Sequence, residues 1–439
     1  MIRTDYKRII SDGITTHLFP NNLELLSGIT EIYELELAFL ESQLLKEEEI
    51  FRNGAYFVRV DDRLTRHYLM CKGEPVKLPQ YSSSRLKSFF QTNQFKTGYA
   101  THGLFPYRGK FHPQMVKALI NIMGLKPGDV VLDPMMGSGT VLLEACLMGI
   151  KSIGVDVSPF CRFMTKVKLD GLVIPLEQVK IAANNNRKVF DYFKNGINPL
   201  KENLSLTEGL YKTFESINLP EVCNQSSIFN FLLLAFLDSA GYSERSNKKS
   251  HFEQFKAILE RYIFVIEKIQ RSIYGTENEL ADATIMNSDA RCLAIDDNKV
   301  DGIIFSPPYS FAIDYLGNDS FHLKYLGEDI LKLRESMIGL RGRTLREKFD
   351  LYLQDMRKVI SECSRVLRPG KFCTIIIGTN DNQLSKILKK PTYAIQSLDE
   401  VMVEYGKLFG LELIRKIERQ ITGIANTMRT ESIVILQKA

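Results

Sequence analysis

Residues 130–140 read Val-Val-Leu-Asp-Pro-Met-Met-Gly-Ser-Gly-Thr, and this stretch decides the fold. Its first three residues form a continuous apolar run, typical of a strand covered on both faces of a sheet. The two glycines let the backbone pass close to a ligand, and a helix that begins after them presents free N–H groups. The stretch therefore predicts a strand, a ligand-binding loop and the start of a helix.

Further apolar runs predict more strands of the same sheet. They lie at 152–155, 302–305 and 372–377. Helical patterns separate them, one at 139–148 and one at 345–367, where Arg-Pro-Gly at 368–370 is expected to end the helix. This alternation predicts a doubly wound α/β fold. Two later runs, 411–420 and 432–437, predict a hairpin-like pair at the sheet edge.

The remaining residues do not fit a compact sheet domain. Residues 96–164 and 281–439 are predicted to be the first and second parts of the sheet domain. Residues 1–95 form a separate N-terminal region with mixed helical and strand patterns. Residues 165–280 are too long for a simple crossover and are rich in helix formers, so they predict a helical insertion.

Composition excludes several classes of protein. The net charge of +5 is compatible with a polyanionic partner, and equally with a surface of mixed sign. The seven cysteines contain no C-x-x-C pair and the six histidines no H-E-x-x-H, so neither a disulfide framework nor a metal site is expected. The first residues lack an apolar signal core, and the longest apolar run, near 231–237, is too short to span a bilayer. We expect a soluble, cytoplasmic protein.

The glycine loop fits two common nucleotide motifs poorly. A phosphate-binding P-loop needs a lysine after its last glycine, whereas Thr140 and Val141 follow Gly139. A dinucleotide fingerprint needs a third small residue where Leu142 stands.

An acidic residue follows each of three predicted strands. Asp133 closes the first strand and Asp156 the second. Asp156 is placed to accept hydrogen bonds from ribose hydroxyls, and the alternative is that it only caps the next helix. Asp289 follows a third predicted strand at 284–287, and it is placed to accept from an adenine amino group, or is a simple turn residue.

The fourth strand runs into Ser306-Pro307-Pro308-Tyr309. The two prolines stiffen this turn and remove two N–H donors. The Ser306 hydroxyl and the Pro307 carbonyl are then a rigid acceptor pair suited to an exocyclic NH2 group, and Tyr309 offers a flat face for a base. Alone, the tetrad would be an ordinary proline turn with a surface tyrosine. Its position at the carboxyl end of a parallel strand favours a binding site.

The 133–140 loop and the 306–309 tetrad together resemble the signature motifs of the amino-group DNA methyltransferase family. The tetrad is most similar to that of its cytosine-N4 branch. The run at 101–113 resembles the family's segment that closes over the methionine end of the cofactor. The resemblance covers about residues 100–160 and 284–437. Met135 stands where the family often has phenylalanine, and the insertion is unusually long.

This resemblance implies a class I methyltransferase, Rossmann-like fold with a mostly parallel seven-stranded sheet, helices on both faces and a helical insertion. It implies S-adenosyl-L-methionine as the cofactor, with these contacts: Phe111, His112, Asp133, Pro134, Met135, Gly137, Gly139, Thr140, Asp156 and Asp289. The catalytic residues implied are Ser306, Pro307, Pro308 and Tyr309. A base flipped out of double-stranded DNA would stack on Tyr309, and its amine would attack the methyl group directly. No cysteine follows a proline, which argues against carbon-5 cytosine chemistry.

Several alternatives stay open at this level. Adenine-N6 methylation and RNA cytidine-N4 methylation use the same chemistry. A non-catalytic cofactor-regulated module and an NAD-dependent oxidoreductase are rivals from other classes. Target recognition could lie in 1–95, in 165–280 or after the tetrad. Host-DNA protection, with a partner restriction endonuclease, is the biological role that we expect by analogy. Tyr315, with Phe311 and Phe321, is a candidate for the base pocket, and arginines at 334, 341, 343 and 346 are candidates for phosphate contacts.

Overall fold

The structure is a computed structural model. It describes residues 14–72, 98–107, 109–195, 225–243, 250–273, 280–308, 314–379, 381–420 and 430–439. Its strands are β1 (Leu23–Leu25), β2 (Phe57–Val60), β3 (Arg63–Leu64), β4 (Val130–Asp133), β5 (Lys151–Val155), β6 (Ala283–Met286), β7 (Val300–Phe305), β8 (Leu367–Gly378), β9 (Leu411–Gln420) and β10 (Thr430–Lys438).

Its α-helices are α1 (Ile14–Leu18), α2 (Ile32–Leu44), α3 (Glu47–Asn53), α4 (Arg66–Lys72), α5 (Pro113–Ile122), α6 (Thr140–Leu147), α7 (Pro159–Asp170), α8 (Leu176–Asn184), α9 (Asn186–Asn195), α10 (Gln225–Ser243), α11 (His251–Ile273), α12 (Tyr315–Tyr325), α13 (Ile330–Ser336), α14 (Leu345–Val366), α15 (Asp381–Leu388) and α16 (Leu398–Leu408). Short 3₁₀ turns lie at Ala100–Gly103 and Thr392–Ala394.

Seven strands form one sheet in the order β6-β5-β4-β7-β8-β10-β9. The strands from β6 to β8 run parallel, and β10 is antiparallel to both of its neighbours. Along β7, Ile303 and Phe305 pack into the core on one face and Ile304 into the core on the other. The predicted class I, Rossmann-like α/β fold, with a mostly parallel seven-stranded sheet, is confirmed.

The predicted final strand pair is present at one edge of the sheet, with β9 outermost and β10 between β8 and β9. One detail of the predicted sheet differs from the structure. The Arg-Pro-Gly at 368–370 follows the end of the helix as predicted, but it belongs to β8, which begins before the predicted residue 372. Leu367 already pairs with Val300 of β7, so the strand begins as soon as α14 ends.

The N-terminal residues pack on the sheet domain. The small sheet β1-β2-β3 and helix α2 share a hydrophobic core with α5 and α6, in which Leu37 lies with Leu119. The buried carboxylate of Glu41 on α2 also accepts a hydrogen bond from Asn121 of α5 at 2.6 Å. The predicted boundary near residue 95 stays a prediction.

Between β5 and β6 the described elements are all helices, α7 to α11. Their apolar side chains form one buried cluster with Phe105 and with Leu316 of α12. In the ranges that the structure describes, no helix is both long and apolar enough to cross a membrane.

Candidate active site at the carboxyl edge of the sheet

A cleft opens at the carboxyl ends of the central parallel strands. Its walls include residues 134–138 after β4, 156–157 after β5, 288–290 after β6 and 306–308 after β7. Parallel strands end at one edge of a sheet, which is why loops far apart in the sequence meet here. The remaining walls come from Tyr107, Gly109, Phe111, Thr140, Cys161, Tyr315 and residues 336–338.

The two loop glycines are required for different reasons. Both have positive φ, +46° at Gly137 and +73° at Gly139, which strains any residue with a side chain. Gly137 lines the cleft. Gly139 is instead the N-cap of α6 and packs against α7, where an added Cβ would lie 2.4 Å from Cγ2 of Thr165.

Asp156 holds the glycine loop. Its Oδ2 accepts from the Gly137 N–H at 2.9 Å, and its Oδ1 accepts from the Ser158 N–H at 2.8 Å. The cap of α7 is Ser158, whose hydroxyl accepts from the Cys161 N–H. Asp156 therefore does not cap that helix. It lines the cleft, and burial raises the pKa of its carboxyl group.

In the described part of the chain, Asp133 has one unsatisfied acceptor oxygen next to the glycine loop. Its side chain is completely buried, and Oδ1 accepts from the Met135 N–H at 3.0 Å. Within the described residues, Oδ2 has no hydrogen-bond partner. Burial raises the pKa of this carboxyl group well above its usual range. Because an unsatisfied buried polar atom is costly, this position fits a polar ligand group.

Asp289 lines the cleft but is engaged by Arg291. Its two oxygens accept from the backbone N–H, Nε and Nη2 of Arg291 at 2.6–3.1 Å. Burial alone would raise the pKa of Asp289, but these hydrogen bonds outweigh it and the pKa is lowered. Because both oxygens of Asp289 already accept from Arg291, the structure favours a role as acceptor for an adenine amine less than the sequence did.

Arg291 was not found from the sequence. It also donates to the Ser336 carbonyl at 2.8 Å and to the buried Asp355 carboxylate at 3.1 Å. It therefore joins the loop after β6 to the 336–338 segment, which also lines the cleft. Arg341, a candidate for phosphate contact, pairs with the same Asp355 carboxylate. In the sequence, the one signal that could have pointed to Arg291 is its position two residues after Asp289.

The tetrad begins directly after β7, as predicted. Ser306, Pro307 and Pro308 line the cleft, whereas Tyr309 and Phe311 lie outside the described residues. Phe321 packs against the helical core, consistent with a structural role.

Of the remaining predicted cofactor contacts, some line the cleft and one lies outside its lining. Pro134, Met135, Thr140 and Phe111 line the cleft. His112 occupies the N-cap position of α5 and is not among the lining residues. Among the described residues, no group of three or more histidine, cysteine or acidic side chains is arranged to hold a metal ion.

Residues 104–208 match the family model for the RMKL-like methyltransferase domain. The cofactor is S-adenosyl-L-methionine. The match begins in the segment that leads into the cleft and includes the glycine loop, Asp133 and Asp156. The unsatisfied Asp133 oxygen, the glycine backbone and the half-buried Asp156 carboxylate are suited to the polar groups of this cofactor.

Three relatives are similar to parts of the chain. Type II methyltransferase M.BsoBI of Geobacillus stearothermophilus is 27% identical over 57% of this chain and 57% of its own length. Type II methyltransferase M.MjaII of Methanocaldococcus jannaschii is 32% identical over 37% of this chain and 28% of its own. The tRNA (guanine(10)-N2)-dimethyltransferase of Methanothermobacter thermautotrophicus is 42% identical over 12% of this chain and 16% of its own. In each case the chain covers less than two thirds of the relative.

Proposed function

We propose that this protein is a DNA methyltransferase that transfers a methyl group from S-adenosyl-L-methionine to the exocyclic N4 amine of cytosine. One observation carries the proposal. Ser306, Pro307 and Pro308 line the same cleft as Gly137 and Asp156. This shared cleft supports the proposal, because the acceptor pair for a base amine would then lie beside the bound methyl donor.

The loop residues would bind the cofactor in distinct ways. Asp133 would accept from a polar group through its free Oδ2, and Asp156 from the ribose hydroxyls. Pro134, Met135, Thr140 and Phe111 would supply wall contacts. Gly139 and His112 would act as supports, since they hold α6 and α5 in place. Asp289 would form part of the cleft wall, and Arg291 would hold its carboxylate in position.

The residues after β7 would orient the acceptor amine. When bound, the cofactor supplies an activated methyl group on a positively charged sulfur. The Ser306 hydroxyl and the Pro307 carbonyl would accept the two N–H bonds of the amine and direct its lone pair toward that group. Tyr309 would stack on the flipped base. These residues need no covalent intermediate to do this work.

The Type II methyltransferase relatives support a DNA substrate and a role in a restriction–modification system with a cognate endonuclease. The tRNA methyltransferase relative makes an RNA acceptor the second candidate, because N2 of guanine is also an exocyclic amine. Adenine N6 of DNA is the third, since it needs the same pair of acceptors.

The helical insertion is our preferred site of target recognition. Helix α12 carries Tyr315 into the cleft, and its last residue, Tyr325, donates from its hydroxyl to the Phe193 carbonyl of α9 at 2.9 Å. The insertion is therefore attached to the element that follows the tetrad. The described N-terminal residues, 14–72, include side chains that instead pack on α5 and α6, on one face of the sheet.

The test uses isotopically labelled cofactor with unmethylated duplex DNA and, separately, with unmodified tRNA. After digestion, mass spectrometry identifies the labelled nucleoside. We expect N4-methylcytosine from DNA, strongly reduced by Ser306→Ala and unchanged by Ser42→Ala, a serine on α2. Label on adenine N6 would replace the base assignment, and label only on tRNA would replace the substrate.

A further inference from the structure

Two tyrosine rings face the cleft beside the glycine loop. Tyr107 and Tyr315 both line it, with ring planes 20° apart and centroids 6.5 Å apart. Tyr107 lies over the loop, since its Cε1 would be 3.8 Å from a Cβ added at Gly137. Tyr315 lies against the upstream segment, since its hydroxyl would be 3.1 Å from a Cβ added at Gly109. The pair therefore belongs to the part of the cleft that the glycine loop defines.

Negative charge is concentrated next to this pair. Asp319 lies one helical turn after Tyr315 on α12 and is 7% exposed. Burial, and then the charge of Asp156, raise the pKa of Asp319 to about 7. Burial first, then Cys161, and then both carboxylates raise the pKa of the Tyr107 hydroxyl.

Little positive charge compensates these carboxylates. Arg162 donates to the main-chain carbonyl of Asp156 at 2.8 Å, and no described lysine or arginine is paired with Asp319. Buried carboxylates without a cation are unfavourable, so the region is most stable with a cationic ligand. The faces of aromatic rings attract cations as well.

We propose that Tyr107 and Tyr315 flank the positively charged sulfur of the cofactor, and that Asp319 completes this cation subsite. The cleft then prefers the charged cofactor to its demethylated product, in which the sulfur is neutral. The proposal depends on S-adenosyl-L-methionine being the cofactor, and it does not depend on which base or nucleic acid accepts the methyl group. A flipped base could also lie between two aromatic rings, but a neutral base gains nothing from two neighbouring carboxylates.

This preference has a consequence for turnover. Once the methyl group leaves, the sulfur loses its charge and the subsite loses its electrostatic attraction for the ligand. The product is then released more easily and competes less with fresh cofactor.

The experiment is calorimetric titration of the full-length protein with S-adenosyl-L-methionine and with S-adenosylhomocysteine. We expect Tyr107→Leu to weaken binding of the charged cofactor by about 5- to 20-fold and that of the product by less than about 2-fold. Tyr107→Phe keeps the ring and should keep the wild-type ratio of the two affinities. Tyr393→Leu, at a tyrosine that is 91% exposed, is the matched control.

Asp319→Asn tests the subsite independently, because it preserves shape and removes only the charge. It should reduce the preference for the charged cofactor without changing product affinity. Equal weakening of both ligands by Tyr107→Leu and Asp319→Asn would overturn the proposal. So would unchanged affinities with reduced methylation of nucleic acid, since the rings would then serve the base. A wild-type protein that binds neither ligand would instead refute the cofactor assignment itself.

Discussion

Nε2 of His102 lies 2.7 Å from Oε1 of Glu144, and both side chains are completely buried. Tyr99 donates from its hydroxyl to the same oxygen at 2.6 Å. Burial lowers the pKa of His102 to about 4, so its imidazole is neutral near pH 7. The charge that faces Glu144 is therefore that of the buried Lys117, 3.9 Å from Oε2. Glu144 thus ties the segment that leads into the cleft to the helix of the glycine loop.

Glu144→Gln should destabilise the fold strongly. It removes the acidic partner of the buried Lys117 ammonium, and we expect the free energy of unfolding to fall by about 3 kcal/mol. Urea unfolding measures the loss. Asp191→Asn removes the acidic partner of Arg187 in an exposed pair and should cost less than about 0.5 kcal/mol. Similar losses in the two variants would show that the buried network contributes no more than a surface pair.

Gly139→Ala should be more destabilising than Gly370→Ala. The two glycines have almost the same φ, +73° and +74°, but an added Cβ meets Thr165 at 2.4 Å in the first and nothing within 4 Å in the second. Gly370→Ala should therefore cost only the left-handed backbone strain, about 1–2 kcal/mol. The extra loss in Gly139→Ala measures the contact between the loop and α7. It should be accompanied by weaker cofactor binding, and equal losses would refute the steric argument.

Arg291→Lys should weaken cofactor binding although the charge is kept. Lysine cannot reach Asp289, Asp355 and the Ser336 carbonyl together, because it lacks the planar fork of arginine. Loss of charge-assisted hydrogen bonds of about 1.5 kcal/mol corresponds to an increase of about tenfold in Kd. Calorimetry tests this, with Arg346→Lys as the control because Arg346 pairs with Asp350 on the surface. Equal affinities in the two variants would mean that Arg291 does not shape the cleft.

Glu41 should make stability depend on pH. It is completely buried, and burial raises its pKa to about 7, from about 4.5 for an unperturbed glutamate. A raised pKa means that the folded state binds the proton more tightly. The stabilisation from this group is therefore complete below pH 4.5 and is lost as pH rises through 7, at about 1.4 kcal/mol for each unit of pKa difference.

Glu41→Gln does not titrate at this position and isolates the effect. Urea unfolding at pH 5, 6, 7 and 8 should show wild type losing stability relative to the variant across this range. A difference between the two proteins that is independent of pH would contradict the raised pKa.

The long helices of the insertion could be predicted from sequence patterns alone. Apolar helical runs at 228–237 and 252–272 lie inside α10 and α11, as expected for long periodic segments. The end of α14 was predicted to within one residue, whereas the start of β8 was not, because the strand begins at Leu367, five residues before the predicted 372. The pairing of Leu367 with Val300 could not be seen locally.

The sequence by itself determined the strand–loop–helix unit at 130–140, the parallel direction of the neighbouring strands and the place of the tetrad after β7. These depend on local apolar runs, on glycine and proline geometry, and on the rule that parallel strands end at one edge. The tertiary structure alone decided that Arg291 engages Asp355 and the Ser336 carbonyl, that Tyr107 faces Tyr315, and that Glu144 is buried with His102 and Lys117. Such pairs join residues distant in the chain, and their partners are fixed by how whole helices and loops pack rather than by any short pattern.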